Sequence, residues 1–187
     1  MSGNSDFGLV QVFWGDGKGK TTAALGTALR AIALGKKVLL VQFLKAGVEA
    51  QPGLNSSGEV ELLQKFPNFF VKRFGTGDWF FSRRRDNLEG HKREALLALK
   101  EACANLSSGE FDLVVLDEVL YAVSFGLLSE EQLLAEIAKK AAQTEVILTG
   151  SHKKLAKIEA AADLVTEIKK IKHPFDRGLL ARKGLDY

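Results

Sequence analysis

Eight consecutive residues, Gly15-Asp16-Gly17-Lys18-Gly19-Lys20-Thr21-Thr22, have the composition of a loop that holds phosphate. Glycines let backbone N–H groups turn toward an anion, and the first turn of a following helix adds partial positive charge. Lys20 adds a full charge, and the Thr21 hydroxyl is of the type that ligates magnesium. An apolar run, Leu9–Trp14, precedes the loop, and an Ala- and Leu-rich stretch, Thr21–Leu34, follows it. A glycine-rich turn with chance lysines does not account for strand, loop, Gly-Lys-Thr-Thr and helix in that order. The usual spacing, Gly-x-x-x-x-Gly-Lys-Thr, would put glycine at position 14, where this chain has Trp14; Gly15 comes one residue later. The loop between its outer glycines is therefore one residue short. It holds fewer phosphates, or it holds a triphosphate in another pose.

A second run, Leu113-Val114-Val115-Leu116-Asp117-Glu118, is an apolar strand ending in acids, the usual partner of such a loop. Either Asp117 or Glu118 could be the inner ligand of Mg²⁺. The pair of motifs says nucleoside triphosphate and stops there. A kinase needs a base for a hydroxyl proton, and an ATPase needs a residue that positions water. Asp78, His91 and His152 sit in no motif that marks them for either task, and His152 reads as a surface histidine. His173 precedes Pro174, which favours extended backbone and suits a structural or site role. The stretch Gly75–Asn87 carries Trp79, Phe80 and Phe81 followed by three arginines. Large aromatics in such a loop either tuck under the domain or cover a ligand.

These residues need a frame. Short apolar runs alternate with helical patterns, the signature of an α/β protein with a mostly parallel sheet and flanking helices. Strands are expected at Leu9–Trp14, Lys37–Phe43, Phe69–Arg73, Leu113–Leu116, Glu145–Thr149 and Leu164–Ile168. Helices are expected at Thr21–Leu34 and Glu89–Leu106, with a short one before Leu164. A further helix starts at the capping box Ser129-Glu130-Glu131-Gln132 and runs to about Ala142. Ala46–Gly58 reads as a loop, and the tail from Lys169 has no clear period. The 187 residues suit one domain. The apolar share of 46%, charged share of 26% and net charge of +3 are those of an ordinary globular protein and give no case for nucleic acid. One cysteine, Cys103, excludes an internal disulfide and a cysteine metal cluster. No targeting pattern opens the chain and no apolar run approaches about 18 residues, so it reads as cytoplasmic and without a membrane span.

Several segments recur together in one family. They are Gly-Lys-Gly-Lys-Thr-Thr at 17–22, Val41-Gln42-Phe43-Leu44-Lys45, Gly75-Thr76-Gly77 followed by aromatics, Val115-Leu116-Asp117-Glu118 and Leu148-Thr149-Gly150. Ala162-Asp163-Leu164-Val165-Thr166-Glu167, Lys172-His173-Pro174-Phe175-Asp176 and the ending Lys183-Gly184-Leu185-Asp186-Tyr187 complete the set. The chain resembles the P-loop class of ATP:corrinoid adenosyltransferases, the CobA/BtuR class, over nearly its whole length. Two departures stand out. The aromatics after Gly77 are shifted in register, and Ser151 stands where the family has arginine.

The resemblance implies a P-loop NTPase sheet of RecA-like form, a homodimer, and ATP bound in reverse sense, which would account for the short loop. It implies that Lys20, Thr21 and Glu118 hold the triphosphate and Mg²⁺, and that Arg30 lies near the nucleotide. The expected reaction transfers the 5′-deoxyadenosyl group of ATP to cobalt(I) of cobalamin or a corrinoid precursor, with a reductant such as a flavoprotein keeping the cobalt reduced. Trp79 and Phe80 are the residues expected against the corrin ring. The alternative is a small-molecule kinase or ATPase of the same fold.

Overall fold

The computed structural model describes residues 8–45, 58–75, 87–180, 182, 184 and 185. Six strands form one sheet: β1 (Val10–Trp14), β2 (Val38–Gln42), β3 (Phe69–Arg73), β4 (Leu113–Asp117), β5 (Glu145–Thr149) and β6 (Leu164–Glu167). Their spatial order is β3-β2-β4-β5-β1-β6, and every neighbouring pair is parallel. Parallel strands require crossovers, and here helices supply most of them. These are α1 (Lys20–Ala33), α2 (Gly58–Leu63), α3 (Leu88–Ser108), α4 (Val119–Ser124), α5 (Glu130–Ile137) and α6 (Ala156–Ala161).

The three strands β2, β4 and β5 are buried at every residue, because helices cover both faces of the sheet. Side chains alternate between two cores. Leu39, Val41, Val114, Leu116, Val146 and Leu148 join Leu99 and Leu106 of α3 and Leu133 of α5 on one face. Val38, Leu40, Leu113, Val115 and Ile147 join Leu25 and Ile32 of α1 on the other. Among the described residues no helix is long and apolar enough to cross a membrane.

The expected strands and long helices are all present, with differences at the short elements. α5 ends at Ile137 rather than near Ala142. Lys139 and Lys140 donate to carbonyls three residues back, and the N–H of Ala141 is taken by the carbonyl of Leu106 at 2.8 Å. That bond turns the chain toward β5 and stops the helix. Gly58, expected in a loop, begins α2, and α4 follows β4 without a separate sequence signal. In the tail, His173 is extended, as its proline neighbour requires, and its Nδ1 accepts the N–H of Phe175 at 3.2 Å. It caps a short 3₁₀ turn, Pro174–Arg177, which is a structural role. Cys103 is half-buried in α3.

Candidate active site

In a parallel sheet all C-terminal strand ends lie on one edge, where α/β proteins bind ligands. Register aligns Arg73 of β3 with Gln42 of β2, and Gln42 with Asp117 of β4. Asp117 is 1% exposed and fully engaged. Its Oδ1 accepts hydrogen bonds from the hydroxyls of Thr21 (2.8 Å) and Thr149 (2.7 Å), and its Oδ2 accepts one from Gln42 Nε2 (3.1 Å). Gln42 Oε1 in turn accepts from Arg73 Nε at 3.0 Å. The carboxylate is buried because three donors compensate for lost water.

Glu118 is different. Its backbone is left-handed, with φ 64°, and its N–H donates to Thr149 Oγ1 at 3.0 Å. Oε1 faces Lys45 Nζ at 3.2 Å, while Oε2 is buried without a hydrogen-bond partner among the described residues. Burial pushes the carboxyl up to about 7; the charge of Asp117 adds to this, while Lys45 and Lys20 pull the other way. Leu44, past β2, and Ser151, past β5, are the other non-glycine residues in the left-handed region among the described residues, with φ 59° and 57°. Such backbone costs about 1–3 kcal/mol each, and all three cases lie on this edge.

The phosphate loop runs between β1 and α1. Gly15 has φ 122°, and a Cβ there would fall 2.2 Å from the carbonyl oxygen of Ile168; at Gly17 the distance would be 2.8 Å. Both N–H groups are committed elsewhere: Gly15 donates to Ser151 O (3.0 Å) and Gly17 to Ile168 O (2.8 Å). The expectation that these glycines turn their amides toward an anion therefore requires those two bonds to be exchanged. Both glycines also allow close packing against neighbouring strand ends. Asp16 accepts the N–H of Lys170 at 2.9 Å, which holds its carboxyl below the usual range and makes it a tether. Lys18 Nζ donates to Leu185 O at 2.7 Å.

N–H groups free to meet an anion stand at the start of α1. Its first N–H groups, at Lys20, Thr21 and Thr22, have no carbonyl one turn back. Gly19, at φ 116°, precedes the helix, no side chain caps it, and its first turn contains no acid. Lys20 Nζ folds back to donate to the carbonyls of Gly15 (2.7 Å) and Gly17 (2.8 Å), and burial lowers its pKa. These weak acceptors mark where a better one, a phosphate oxygen, would compete.

Lys20, Thr21, Asp117 and Glu118 are thus brought together. Arg30 is not: it is exposed in the last turn of α1, ten residues beyond Lys20 and so about 15 Å along the helix axis. Trp79, Phe80 and Phe81 lie outside the described residues. Two residues without an assigned sequence role stand at the same edge. Tyr121, in α4, has its ring 5.9 Å from Lys20 Nζ, and its hydroxyl is 2.5 Å from His152 Nε2. The signal for His152 is its place just past Gly150, at the C-terminal end of a buried strand.

Magnesium fits the residues present. The unpartnered Glu118 Oε2 is an oxygen donor in need of a cation, with the Thr21 hydroxyl held nearby through Asp117. Among the described residues no group of three or more His, Cys, Asp or Glu could hold a metal by itself. A magnesium site made from one or two carboxylates and substrate phosphates needs none.

A triphosphate at the start of α1 would meet Lys20 and, through its metal, Glu118, and that arrangement defines a P-loop nucleoside-triphosphate-binding protein. Comparison with known proteins narrows the class. A family profile described as ATP:corrinoid adenosyltransferase BtuR/CobO/CobP matches residues 6–187. The chain is 37% identical over 182 residues to the corrinoid adenosyltransferase of Escherichia coli strain K12, covering 96% of this chain and 86% of the relative. It is 35% identical over 182 residues to corrinoid adenosyltransferase CobA of Salmonella typhimurium, with the same coverage. It is 36% identical over 180 residues to the Pseudomonas aeruginosa corrinoid adenosyltransferase, covering 96% and 84%. The chain belongs to the ATP:corrinoid adenosyltransferase family.

Proposed function

We propose that the chain transfers the 5′-deoxyadenosyl group of ATP to cobalt(I) of a reduced corrinoid and releases inorganic triphosphate, in the making or salvage of coenzyme B12. The family match across residues 6–187 carries the reading. The electron pair of cobalt(I) forms the bond to carbon 5′. The C5′–O bond breaks, its pair leaves on the triphosphate, and cobalt is formally oxidised by two electrons. The nucleophile has no proton to lose, so no general base is required.

The protein's work is positioning and charge neutralisation. Lys20 exchanges its two loop carbonyls for phosphate oxygens, and the first amides of α1 bind alongside it. Glu118 and Thr21 hold Mg²⁺; Asp117, saturated by its three donors, orients Thr21 from behind. When bound, the magnesium ion neutralises charge on the departing triphosphate. Trp79 and Phe80 are assigned to the corrin face, where apolar rings leave no room for an axial ligand and so ease reduction of cobalt(II). Their replacement by alanine should abolish the four-coordinate cobalt(II) signal in electron paramagnetic resonance and spare ATP affinity. A homodimer and a reductant such as a flavoprotein belong to the same reading, on the strength of the family resemblance.

Product analysis tests the reaction. With ATP, Mg²⁺, cob(II)alamin and a strong reductant, the expected products are a light-sensitive alkylcobalt species and intact triphosphate. Stoichiometric ADP without alkylcobalt absorbance would instead indicate a kinase or ATPase.

A further inference from the structure

The turn after β5 is built against the phosphate loop. Ser151 is buried; its Oγ donates to Lys153 O (2.6 Å) and accepts from Lys153 N–H (2.9 Å), while its own carbonyl takes the N–H of Gly15. Gly150 has φ 120°, and a Cβ there would lie 2.9 Å from the backbone nitrogen of Tyr121. The backbone of His152 is therefore fixed to both the phosphate loop and α4. Its ring meets Tyr121 edge-on, with centroids 5.2 Å apart at 82°, and Nε2 lies 2.5 Å from the tyrosine hydroxyl. The same tyrosine ring lies beside Lys20 Nζ. Lys20, Tyr121 and His152 thus form one continuous strip at the mouth of the phosphate loop.

The hydrogen bond between the two rings has a direction. Burial, with the charge of Glu118, pushes the Tyr121 phenol up to about 12, so it keeps its proton. An imidazole nitrogen is a stronger acceptor than a phenol oxygen, so the hydroxyl donates to Nε2. The proton of the neutral ring then resides on Nδ1. Nδ1 has no hydrogen-bond partner among the described residues. The His152 side chain is exposed and in electrostatic reach of Lys20 and Asp16, which leaves a spare N–H donor on the strip that includes Lys20.

We propose that His152 is a further phosphate-binding residue, held by Tyr121 as the Nδ1–H tautomer and donating to the triphosphate of ATP beside Lys20. This rests on the reading of the site as a triphosphate cradle. The competing account is a surface histidine that merely stacks on a tyrosine.

The test is calorimetric titration of the full chain with inorganic triphosphate and Mg²⁺, with melting temperatures measured alongside. His152→Ala should weaken binding about tenfold, the scale of one hydrogen bond to a charged group. His152→Asn, whose amide N–H stands near the place of Nδ1–H, should restore most of that loss. Tyr121→Phe should weaken binding about threefold by releasing the tautomer and orientation, an effect smaller than loss of the donor itself. All three variants should melt within a few degrees of the parent. Unchanged affinity in His152→Ala, or a loss that asparagine does not restore in folded protein, overturns the proposal. The parent is assayed for products in parallel. Release of ADP by the parent would defeat the transfer reaction, while a His152-dependent triphosphate affinity would still uphold this assignment.

Discussion

The two edges of the sheet use acidic residues in opposite ways. At the N-terminal edge, Glu145 accepts the N–H groups of Gly8 (2.8 Å) and Leu9 (2.7 Å) on one oxygen and Gln11 Nε2 (2.6 Å) on the other. Asp163 accepts the N–H of Val10 at 2.8 Å, and Asp112 accepts that of Lys37 at 2.8 Å. Each of these acids ties one strand start to another with its charge satisfied. At the C-terminal edge, Glu118 is left-handed, buried and left with an oxygen unpartnered among the described residues. The three strained non-glycine residues among the described residues all lie on that side. One edge is built for stability; the other retains unmet bonding capacity that a metal–nucleotide can satisfy.

That contrast predicts activity losses without instability at one edge and the reverse at the other. The largest effect is expected for Lys20→Ala, which removes the cation proposed to face the leaving phosphates, a contact of about 2–4 kcal/mol in the transition state. Turnover should fall by roughly two to three orders of magnitude with the fold intact. Near-normal turnover would mean the phosphate loop is misassigned.

Glu118→Gln should lose roughly tenfold or more in Mg–ATP affinity, one charged contact having gone, yet stabilise the empty protein above neutral pH. The folded carboxyl titrates near 7, against 4.5 for its ordinary value, so the folded state binds the extra proton. Its favourable contribution is present below pH 4.5 and is lost as pH rises through 7. Thermal melts of the parent and the glutamine variant at pH 5 and pH 8 read this directly. The gap should favour the variant only at pH 8, and a variant less stable at both values would contradict the account.

Glu145→Ala should show the mirror image. It strands two backbone amides and should cost about 1–3 kcal/mol of stability, with kcat unchanged. Chemical denaturation and steady-state kinetics separate the two effects. The smallest change is expected at the cap of α5, where Ser129 accepts the N–H of Gln132 and the Gln132 side chain accepts the N–H of Ser129. Ser129→Ala should cost about 1 kcal/mol of stability and leave activity untouched. It also sharpens a second contrast: α5 is capped and carries two acids in its first turn, whereas α1 has neither and so remains open to an anion.

What the sequence made legible was local. Gly-Lys-Thr-Thr, the β4 run into Asp117 and the Ser129 box are each written in consecutive residues. The family resemblance was equally legible, being spread over motifs in order. What it hid depends on distant partners. Nothing near Asp117 distinguishes it from Glu118; only its bonds to Thr21, Gln42 and Thr149, three separate elements, show that one acid is satisfied and the other open. The stop of α5 is set by a carbonyl in α3, and the Gly15 and Gly17 amides are claimed by residues from the far end of the chain. His152 and Tyr121 are 31 residues apart and carry no shared pattern. Arg30 follows the family pattern in sequence but stands at the opposite end of its helix from Lys20.

The central claim is that this edge of the sheet promotes cleavage between carbon 5′ and its oxygen, with the triphosphate leaving whole. ATP carrying ¹⁸O in the bridge between carbon 5′ and the α-phosphorus tests it most directly. The account predicts that, after reaction with cobalt(I) corrinoid, all of the label is found in released triphosphate and none in the adenosyl product. Label retained with the nucleoside, or recovered in ADP, would mean that a phosphorus–oxygen bond is broken and would contradict it.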